Sequence, residues 1–302
     1  VEPLVWRAAF NSDRRSGASF RLLLPIRRPI CRCDLILPPE ATKREMDMEQ
    51  DMKGRVALIS GGSDGIGLAT AALLAQRGAH VAICARRPEK LDEARATIER
   101  AGGSVETIQL DVGDGEAFDR AIRDVAARNG RLDMLVNNAM SIGFGMIDEL
   151  EFDDWRRDFV VNTDAIFIGI RAAMRIMKTQ GGGAIVSTAS TCGFRAAPGM
   201  SSYSASKAAL IQLTAVAAME GARVGVRVNS VAPGQIVTAA TADFLQDPVA
   251  AAAAAETIPF GRPGQANEVA EAIAFLLSDR ASYISGVMLP VDGGKSVQLH
   301  MG

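Results

Sequence analysis

The chain has 302 residues, 48% of them apolar, which is enough to bury one large core or two ordinary ones. Its 33 basic and 35 acidic residues give a formal net charge of −2, without a polybasic tract or a domain-wide basic excess. This balance argues against nucleic acid or a membrane surface as a partner, and no uninterrupted apolar run reaches the roughly 18 residues of a membrane-spanning helix.

The first 52 residues differ from the rest of the chain. They are rich in arginine, their prolines would break a helix, and their apolar residues show no sustained helix or strand periodicity. An organelle transit peptide could have this composition, as could a disordered extension translated from a start site placed too early. Met46, Met48 and Met52 precede the first predicted strand and favour the second interpretation. We therefore expect 1–52 to be an extension that is disordered or not native, and 53–302 to form one catalytic domain.

From residue 53 onward, predicted strands and helices alternate. Short apolar runs predict strands at 55–61, 80–86, 105–112, 132–139, 182–190, 226–234 and 286–294. Helical composition is found at 67–79, 88–102, 115–130, 153–177, 203–222 and 268–278. The alternation predicts an α/β fold, a doubly wound parallel β-sheet of the Rossmann type in one three-layer α/β/α domain. Sites in such folds lie at the carboxyl ends of the strands.

The first strand runs into the glycine-rich stretch SGGSDGIG, which precedes a helix. Glycines at this point permit a tight turn and let backbone amides approach a pyrophosphate at the positive end of the helix. A plain strand-to-helix turn could have the same glycines, but the position after the first strand of a βαβ unit favours a dinucleotide site. The candidate residues are Ser60, Gly61, Ser63, Asp64, Gly65, Ile66 and Gly67.

The end of the second strand bears on the choice between the two nicotinamide cofactors. An acidic residue there would bind the ribose 2′-hydroxyl, but this strand ends in Ala85, followed by Arg86 and Arg87. Guanidinium groups offer charge-assisted hydrogen bonds to a 2′-phosphate, although they could also be solvated loop residues. We expect NADP(H) to be favoured, with NAD(H) possible because Asp64 adds a negative charge nearby.

Asp111 and Val112 follow the third strand. Asp111 could accept a hydrogen bond from the adenine amino group, or it could be an ordinary helix N-cap.

Tyr203 and Lys207, in YSASKAAL, lie four residues apart on one face of a predicted helix. A surface pair is the ordinary interpretation of such residues. The alternative is an acid/base unit, in which ionising a phenol of pKa about 10 near pH 7 requires a shift of about 3 units, or roughly 4 kcal/mol. A nearby cation could supply part of that shift.

The cysteines and histidines suggest neither a metal site nor a hydrolytic triad. Cys31 and Cys33 have no second matching pair, and His80 and His300 lie at a strand start and at the end of the chain. Cys84 and Cys192 are interpreted as thiols in a reducing, cytoplasmic compartment.

Four motifs together resemble the short-chain dehydrogenase/reductase family in its single-domain form, over residues 53–294. SGGSDGIG resembles the cofactor turn and NNA (137–139) the mid-sheet motif of that family. Ser190 with YSASK resembles its Ser…Tyr-x-x-x-Lys active site. VNSVAPG, with Thr238 beyond it, resembles the segment that holds the nicotinamide.

The resemblance implies a role for each matching residue. Tyr203 would exchange a proton with the substrate oxygen, Lys207 would bind the nicotinamide ribose and lower the phenol pKa, and Ser190 would orient the substrate. Asn162 would hold a water in the proton relay. The remaining cofactor contacts would come from Asn138, Ala139, Pro233, Gly234, Ile236 and Thr238. A homo-oligomer, a tetramer or dimer built on the helices that carry Asn162 and Tyr203, is also implied.

Three positions depart from the family pattern: Ser60 replaces Thr, Met140 replaces a glycine, and Ala189 replaces Ser. Met140 could reshape the floor under the substrate. The candidate pocket walls are Ser141, Ile142, Phe144, Cys192, Phe194, Met200, Gln235 and the segment after Thr238. The stretch 248–260 could form a lid helix, or its alanines could simply reflect high helix propensity. These mostly apolar walls favour a neutral alcohol or ketone substrate. A 3-oxoacyl thioester reductase and a non-catalytic NADP-binding regulatory protein remain as alternatives.

Overall fold

The computed structural model describes residues 50–239, 241–242 and 247–298. Its centre is a seven-stranded, all-parallel sheet with the strand order β3-β2-β1-β4-β5-β6-β9. The strands are β1 (Val56–Ser60), β2 (His80–Ala85), β3 (Val105–Gln109), β4 (Met134–Asn137), β5 (Gly183–Thr188), β6 (Val226–Pro233) and β9 (Met288–Val291). A small parallel pair, β7 (Ile236–Val237) and β8 (Gly264–Gln265), lies outside this sheet. The predicted doubly wound fold is confirmed.

Helices cover both faces of the sheet. They are α1 (Gly65–Gln76), α2 (Pro88–Arg100), α3 (Gly115–Asn129), α4 (Phe152–Phe159), α5 (Ala165–Gln180), α6 (Ser201–Ala222), α7 (Pro248–Glu256) and α8 (Ala266–Leu277). One core cluster unites α3, α5 and α6 with the sheet, and the other unites α1, α2 and α8 with it. Alternate strand residues serve the two clusters, as Leu58 and Ile59 do in β1.

The order of the strands reverses between β1 and β4, which are hydrogen-bonded neighbours. Chain connections leave this point in opposite directions, so the carboxyl ends of β1 and β4 open into a crevice. Ser60 and Asn137 pair in register at that end. The fold therefore places both motifs of the expected dinucleotide site side by side.

Several boundaries differ from the sequence-based expectation. The fifth strand ends at Thr188, two residues before Ser190, which instead caps a short 3₁₀ turn. The predicted single helix at 153–177 is divided by a π-helical turn, Val160–Asp164, between α4 and α5. The β7–β8 pair was not predicted, because two-residue strands leave no periodic signal.

The expected extension falls almost entirely outside the described residues, as does His300, so neither expectation is tested. Met52 is described, and its side chain is fully buried in the same cluster as Ile59 and Leu74. Within the described part of the chain, no helix has the length and apolar character needed to cross a bilayer.

Candidate active site

The glycine-rich turn adopts a conformation that side chains would obstruct. Gly61 and Gly65 have positive φ angles of 64° and 51°. A Cβ atom on Gly67 would lie 2.1 Å from the carbonyl oxygen of Gly61, so only glycine fits where α1 begins. Asp64 caps α1, its carboxylate accepting a hydrogen bond from Gly65 N at 2.7 Å. Ser63 and Ile66 lie partly exposed in the same turn.

Ser60 joins this turn to the end of β4. Its Oγ accepts hydrogen bonds from the backbone amides of Asn138, at 3.0 Å, and Ala139, at 3.2 Å. The Asn138 side chain in turn donates to the carbonyl oxygen of Gly61 at 3.1 Å. Serine retains the hydroxyl of the threonine usual in the family, so this departure preserves the link.

Hydrogen bonds continue from Asn138 to the helix that carries Tyr203. Thr188 Oγ1 donates to Asn138 Oδ1 at 3.1 Å, and Lys207 Nζ donates to the Thr188 carbonyl at 2.8 Å. Thr188 was not singled out from the sequence, since a threonine ending a strand is common. The cofactor turn and the Tyr-Lys pair thus belong to one connected network.

Tyr203, Lys207 and Ser190 meet at the carboxyl end of β5. The Ser190 hydroxyl lies near enough to the Tyr203 phenol to lower its pKa, and Lys207 Nζ lies 5.6 Å from the centroid of the Tyr203 ring. Tyr203 is 8% exposed and Lys207 1% exposed. A surface pair, the ordinary interpretation of the spacing, is therefore wrong.

Burial moves the pKa values of the two groups in opposite directions. It raises the pKa of Tyr203 to about 12, partly offset by the Ser190 hydrogen bond, while Cys192 and Asp158 raise it further. It lowers the pKa of Lys207 to about 8, against the attraction of Asp158. Each side chain is thus driven towards its neutral form.

Asn162 lies in the π-helical turn and is fully buried. Its side chain accepts a hydrogen bond from Ser141 N at 3.0 Å and donates to Ser141 O at 2.7 Å and to Ser206 Oγ at 3.1 Å. Insertions of this type are frequent at functional sites. The turn holds Asn162 against both the loop after β4 and the helix α6.

The segment after β6 closes over the glycine turn. A Cβ atom on Gly65 would lie 3.0 Å from Thr238 Cγ2, and Ile236 is buried in β7. Pro233 ends β6, and a Cβ on Gly234 would lie 2.8 Å from Asp292 Cβ. This segment therefore packs against the glycine turn, and its contacts with a nicotinamide stay a prediction.

At the adenine side, Ala85 ends β2 and the side chains of Arg86 and Arg87 are exposed. Neither guanidinium forms an ion pair within the described residues. Asp111 is exposed and accepts from Gly113 N at 2.9 Å, whereas Asp114 is the N-cap of α3. The N-cap alternative for Asp111 is therefore wrong, and Val112 beside it is buried.

The loop after β4 and the segment before α6 line the expected substrate space. Gly145 N donates to Gly199 O at 3.0 Å, which joins the two segments. Met140 is 46% exposed and Phe144 71% exposed, so apolar groups stand free at the rim. The other predicted wall residues are partly exposed: Ser141, Ile142, Cys192, Phe194, Met200 and Gln235.

Sequence reasoning missed Asp158, whose side chain is fully buried beside this site. Its carboxylate accepts hydrogen bonds from Ser141 Oγ at 2.7 Å, Gly143 N at 2.9 Å and Ser202 Oγ at 2.7 Å. An aspartate in the helical stretch DDWRRDF looks like a solvated residue, and only its position four residues before Asn162 could have placed it on the inner face.

The residues present fit a nicotinamide dinucleotide. The obligatory glycine cradle, the amino end of α1 and the network leading to Lys207 supply amides and a cation suited to phosphate and ribose groups. Within the described residues, no cluster of histidine, cysteine or acidic side chains could hold a metal ion.

Comparison with known proteins shows similarity across the domain. The family model described as Enoyl-(Acyl carrier protein) reductase matches residues 61–296. Cyclopentanol dehydrogenase of a Comamonas species is 38% identical over 80% of this chain and 96% of its own length. Human Dehydrogenase/reductase SDR family member 4 is 34% identical over 84% of this chain and 92% of its own. The crystal structure of NAD+-bound xylitol dehydrogenase matches with a TM-score of 0.76 and 34% identity, over 80% of this chain and 99% of that chain.

Proposed function

The chain belongs to the short-chain dehydrogenase/reductase family, and on that premise we propose that it is an oxidoreductase that interconverts a secondary alcohol and a ketone with NAD(P), Tyr203 being the acid/base. The observation that carries the proposal is the buried contact of Tyr203 with Ser190 and Lys207 at the end of a strand beside the glycine cradle. A buried phenol between a hydroxyl and an ammonium group is suited to moving one proton to or from a substrate oxygen.

Each side chain has a separate task in this proposal. Tyr203 Oη accepts the hydroxyl proton when an alcohol is oxidised and returns it when a ketone is reduced. Ser190 Oγ, which lies beside Tyr203, would hold the substrate oxygen and stabilise charge that develops on it. Lys207, with a pKa of about 8, is mostly protonated at neutral pH, and its charge favours the phenolate.

The cofactor would be held by the glycine turn at its phosphates and by Lys207 at its ribose. When bound, the nicotinamide supplies the hydride acceptor or donor. The side-chain amide nitrogen of Asn162 donates both of its hydrogens, one to Ser141 and one to Ser206. A relay water could therefore bind Asn162 only by donating a hydrogen bond to one of the oxygen atoms of Asn162. The segment from Pro233 to Thr238 would enclose the reacting end and exclude bulk water.

NADP(H) is the favoured cofactor in this proposal. Ala85 leaves no carboxylate to repel a 2′-phosphate, and the exposed guanidinium groups of Arg86 and Arg87 are free to bind one. Equal or better turnover with NADH than with NADPH would contradict this preference. An Arg86→Ala, Arg87→Ala variant should lose affinity for NADPH and keep its affinity for NADH.

The substrate favoured by the site is a neutral, moderately apolar alcohol or ketone, because Met140, Phe144 and Met200 contribute apolar surface at its rim. The relative that acts on cyclopentanol supports this class. The matching family description names an acyl-carrier substrate, so a 3-oxoacyl thioester reductase is the second candidate. A regulatory protein without turnover is disfavoured because Ser190, Tyr203 and Lys207 are all present.

A substrate panel tests the proposal. Cyclic and linear secondary alcohols, their ketones and an acetoacetyl thioester would be assayed with both cofactors by the absorbance of the reduced nicotinamide. We expect turnover of alcohols and ketones to exceed that of the thioester. Preferential turnover of the thioester would favour the second candidate, and no turnover of any compound would contradict the proposal.

Three further expectations accompany this function. The protein would be a homo-oligomer assembled through α5 and α6, it would be cytoplasmic, and its catalytic domain would begin near residue 53. Exposed apolar side chains on α5 and α6 support the first, and the free Cys84 and Cys192 are compatible with the second. All three stay predictions.

A further inference from the structure

Asp158 is an unusual residue for its surroundings, because its carboxylate is fully buried and has no salt-bridge partner among the described residues. Burying an ionised carboxylate is costly unless hydrogen bonds compensate for the lost hydration. Three donors do so here, from Ser141, Gly143 and Ser202, at 2.7 to 2.9 Å. The buried carboxylate is therefore held by donors that lie outside its own helix.

The three donors come from two segments that the proposed function depends on. Ser141 and Gly143 belong to the loop after β4, which forms the floor of the substrate space beside Met140. Ser202 lies in the first turn of α6, immediately before Tyr203. One oxygen of Asp158, Oδ2, accepts from both Gly143 and Ser202, so the carboxylate ties the floor directly to the start of the catalytic helix.

The contact geometry leaves little freedom at this junction. A Cβ atom on Gly143 would lie 3.3 Å from Ser202 Oγ and 3.4 Å from Asp158 Oδ2. Asn162, one turn further along the chain, holds both the amide and the carbonyl of Ser141. Two adjacent turns of the helical segment therefore fix the same loop. Asn162 binds the backbone of Ser141, and Asp158 binds the Ser141 hydroxyl and the backbone amide of Gly143.

We propose that Asp158 is a positioning residue that holds the substrate floor and Tyr203 in a fixed relation and places the charge of its carboxylate beside the active site. This inference rests on the proposed function, because it assigns the residue a part in the same proton transfer. Asp158 touches neither Tyr203 nor Lys207 by any hydrogen bond described, and it acts through Ser141, Gly143 and Ser202.

The charge of the Asp158 carboxylate affects the pKa values of the proposed catalytic groups, which packing alone would not do. The titratable groups beside Tyr203 are Lys207, Asp158 and Cys192, and Asp158 also acts on Lys207. The negative charge of Asp158 raises the pKa of both Tyr203 and Lys207. Removing it should therefore move both limbs of a pH–rate profile to lower pH.

Two substitutions separate position from charge. In Asp158→Asn, the amide oxygen can accept from Gly143 and Ser202 while the amide nitrogen donates to Ser141 Oγ, so the contacts survive and the charge is lost. In Asp158→Ala, both are lost. Asp154→Asn is the matched control, since Asp154 lies one turn earlier on α4, is partly exposed and pairs with Arg157.

Kinetics of the holoenzyme give the first test. We expect kcat of Asp158→Ala to fall by about 10- to 100-fold, because misplacement of reacting groups has costs of that order. Asp158→Asn should keep most of kcat but shift both limbs of its pH profile down by about half a unit or more. If Asp158→Ala does not fold, Ser202→Ala should show the loss of kcat with the pH limbs in place. Wild-type kcat and an unshifted profile in the Asp158 variants would overturn the inference.

A titration that needs no turnover keeps this test separate from the proposed function. The chain has only two tyrosines, and Tyr283 is fully exposed, so Tyr283→Phe leaves Tyr203 as the single phenol. Tyrosinate absorbance would be followed against pH in this background, with and without Asp158→Asn and in the presence of oxidised cofactor. A lower midpoint in the double variant supports the inference even if no tested alcohol is a substrate. An unchanged midpoint overturns the electrostatic part even if the enzyme is active.

Discussion

Tyr203 and Lys207 occupy a site that stabilises the protein poorly but suits proton transfer. Without a cofactor, burial keeps the phenol protonated, with a pKa of about 12, and weakens the hold of Lys207 on its proton. A group arranged for stability alone would be paired or exposed. Ionising the Tyr203 phenol is therefore unfavourable in this site, and a cation bound near the phenol would lower its pKa. For this reason we expect catalysis and cofactor binding to be coupled.

Lys207→Met should reveal this cost. Because the pKa of Lys207 is lowered from 10.5 to about 8, the unfolded chain binds more protons between those pH values, and wild-type stability rises with pH across that window. The shift corresponds to about 3 kcal/mol. The stability of the variant relative to wild type should therefore be greatest near pH 7 and should decline towards pH 10.5.

Urea unfolding at the two pH values measures this difference. Lys178→Met, at an exposed position on α5, is the control and should show no comparable dependence on pH. A difference between Lys207→Met and wild type that stays constant from pH 7 to 10.5 would contradict the lowered pKa of Lys207.

At the scale of elements, the site depends on how the ends of strands and helices meet. Ser60 of β1, Asn138 after β4 and Thr188 of β5 form one chain of hydrogen bonds along the carboxyl edge of the sheet. The glycine turn then sets the distance between β1 and α1. A change in this turn should weaken cofactor binding.

Gly67→Ala tests the turn. The new Cβ would lie 2.1 Å from Gly61 O and 2.6 Å from Asn138 Nδ2, so the turn must shift. We expect affinity for NADPH to fall about tenfold or more, equivalent to 1.4 kcal/mol or more. Gly102→Ala is the control, because a Cβ atom there would have no neighbour within 4 Å, although its φ of +84° makes alanine unfavourable for the backbone, a cost that Gly67→Ala does not have. Fluorescence titration with NADPH should show unchanged affinity in the control. Equal affinity in both variants would contradict the assigned role.

The sequence predicted these elements well where hydrophobic periodicity or a motif was strong. It predicted them less well where contacts between distant segments determine the local conformation or the burial of a side chain. The alternating runs indicated the parallel sheet and its helices, and the motif spacing indicated Tyr203, Lys207 and Ser190. The π-helical turn at Val160–Asp164 could not be predicted, because one extra residue per turn leaves helix composition unchanged. Asp158 was missed for a related reason, since its burial depends on three donors from remote segments.

At the scale of the whole molecule, α5 and α6 carry apolar side chains that are exposed to solvent. Phe167 on α5 is 48% exposed, and Val216 and Met219 on α6 are 45% and 80% exposed. A protein interface would remove such apolar side chains from water. The expectation of a homo-oligomer built on these helices thus has a physical basis in this chain.

Phe167→Glu combined with Met219→Glu tests the assembly. We expect wild type to sediment as a tetramer or dimer and the double variant to dissociate, since buried charges at an interface are strongly unfavourable. Thr97→Glu, on the exposed face of α2 in the opposite layer, should leave the assembly intact. A monomeric wild type, or a double variant that stays assembled, would contradict this interface.

The central claim, that Tyr203 transfers the proton, is tested most directly by Tyr203→Phe, which removes one oxygen atom and keeps the ring. Turnover of the preferred alcohol and affinity for the cofactor would be measured beside Tyr283→Phe, which makes the same change at the other, fully exposed tyrosine. We expect Tyr203→Phe to lose about 10²-fold or more of its turnover, the scale of general acid–base catalysis, while it still binds cofactor. Tyr283→Phe should match wild type. Retained turnover in Tyr203→Phe would contradict the account.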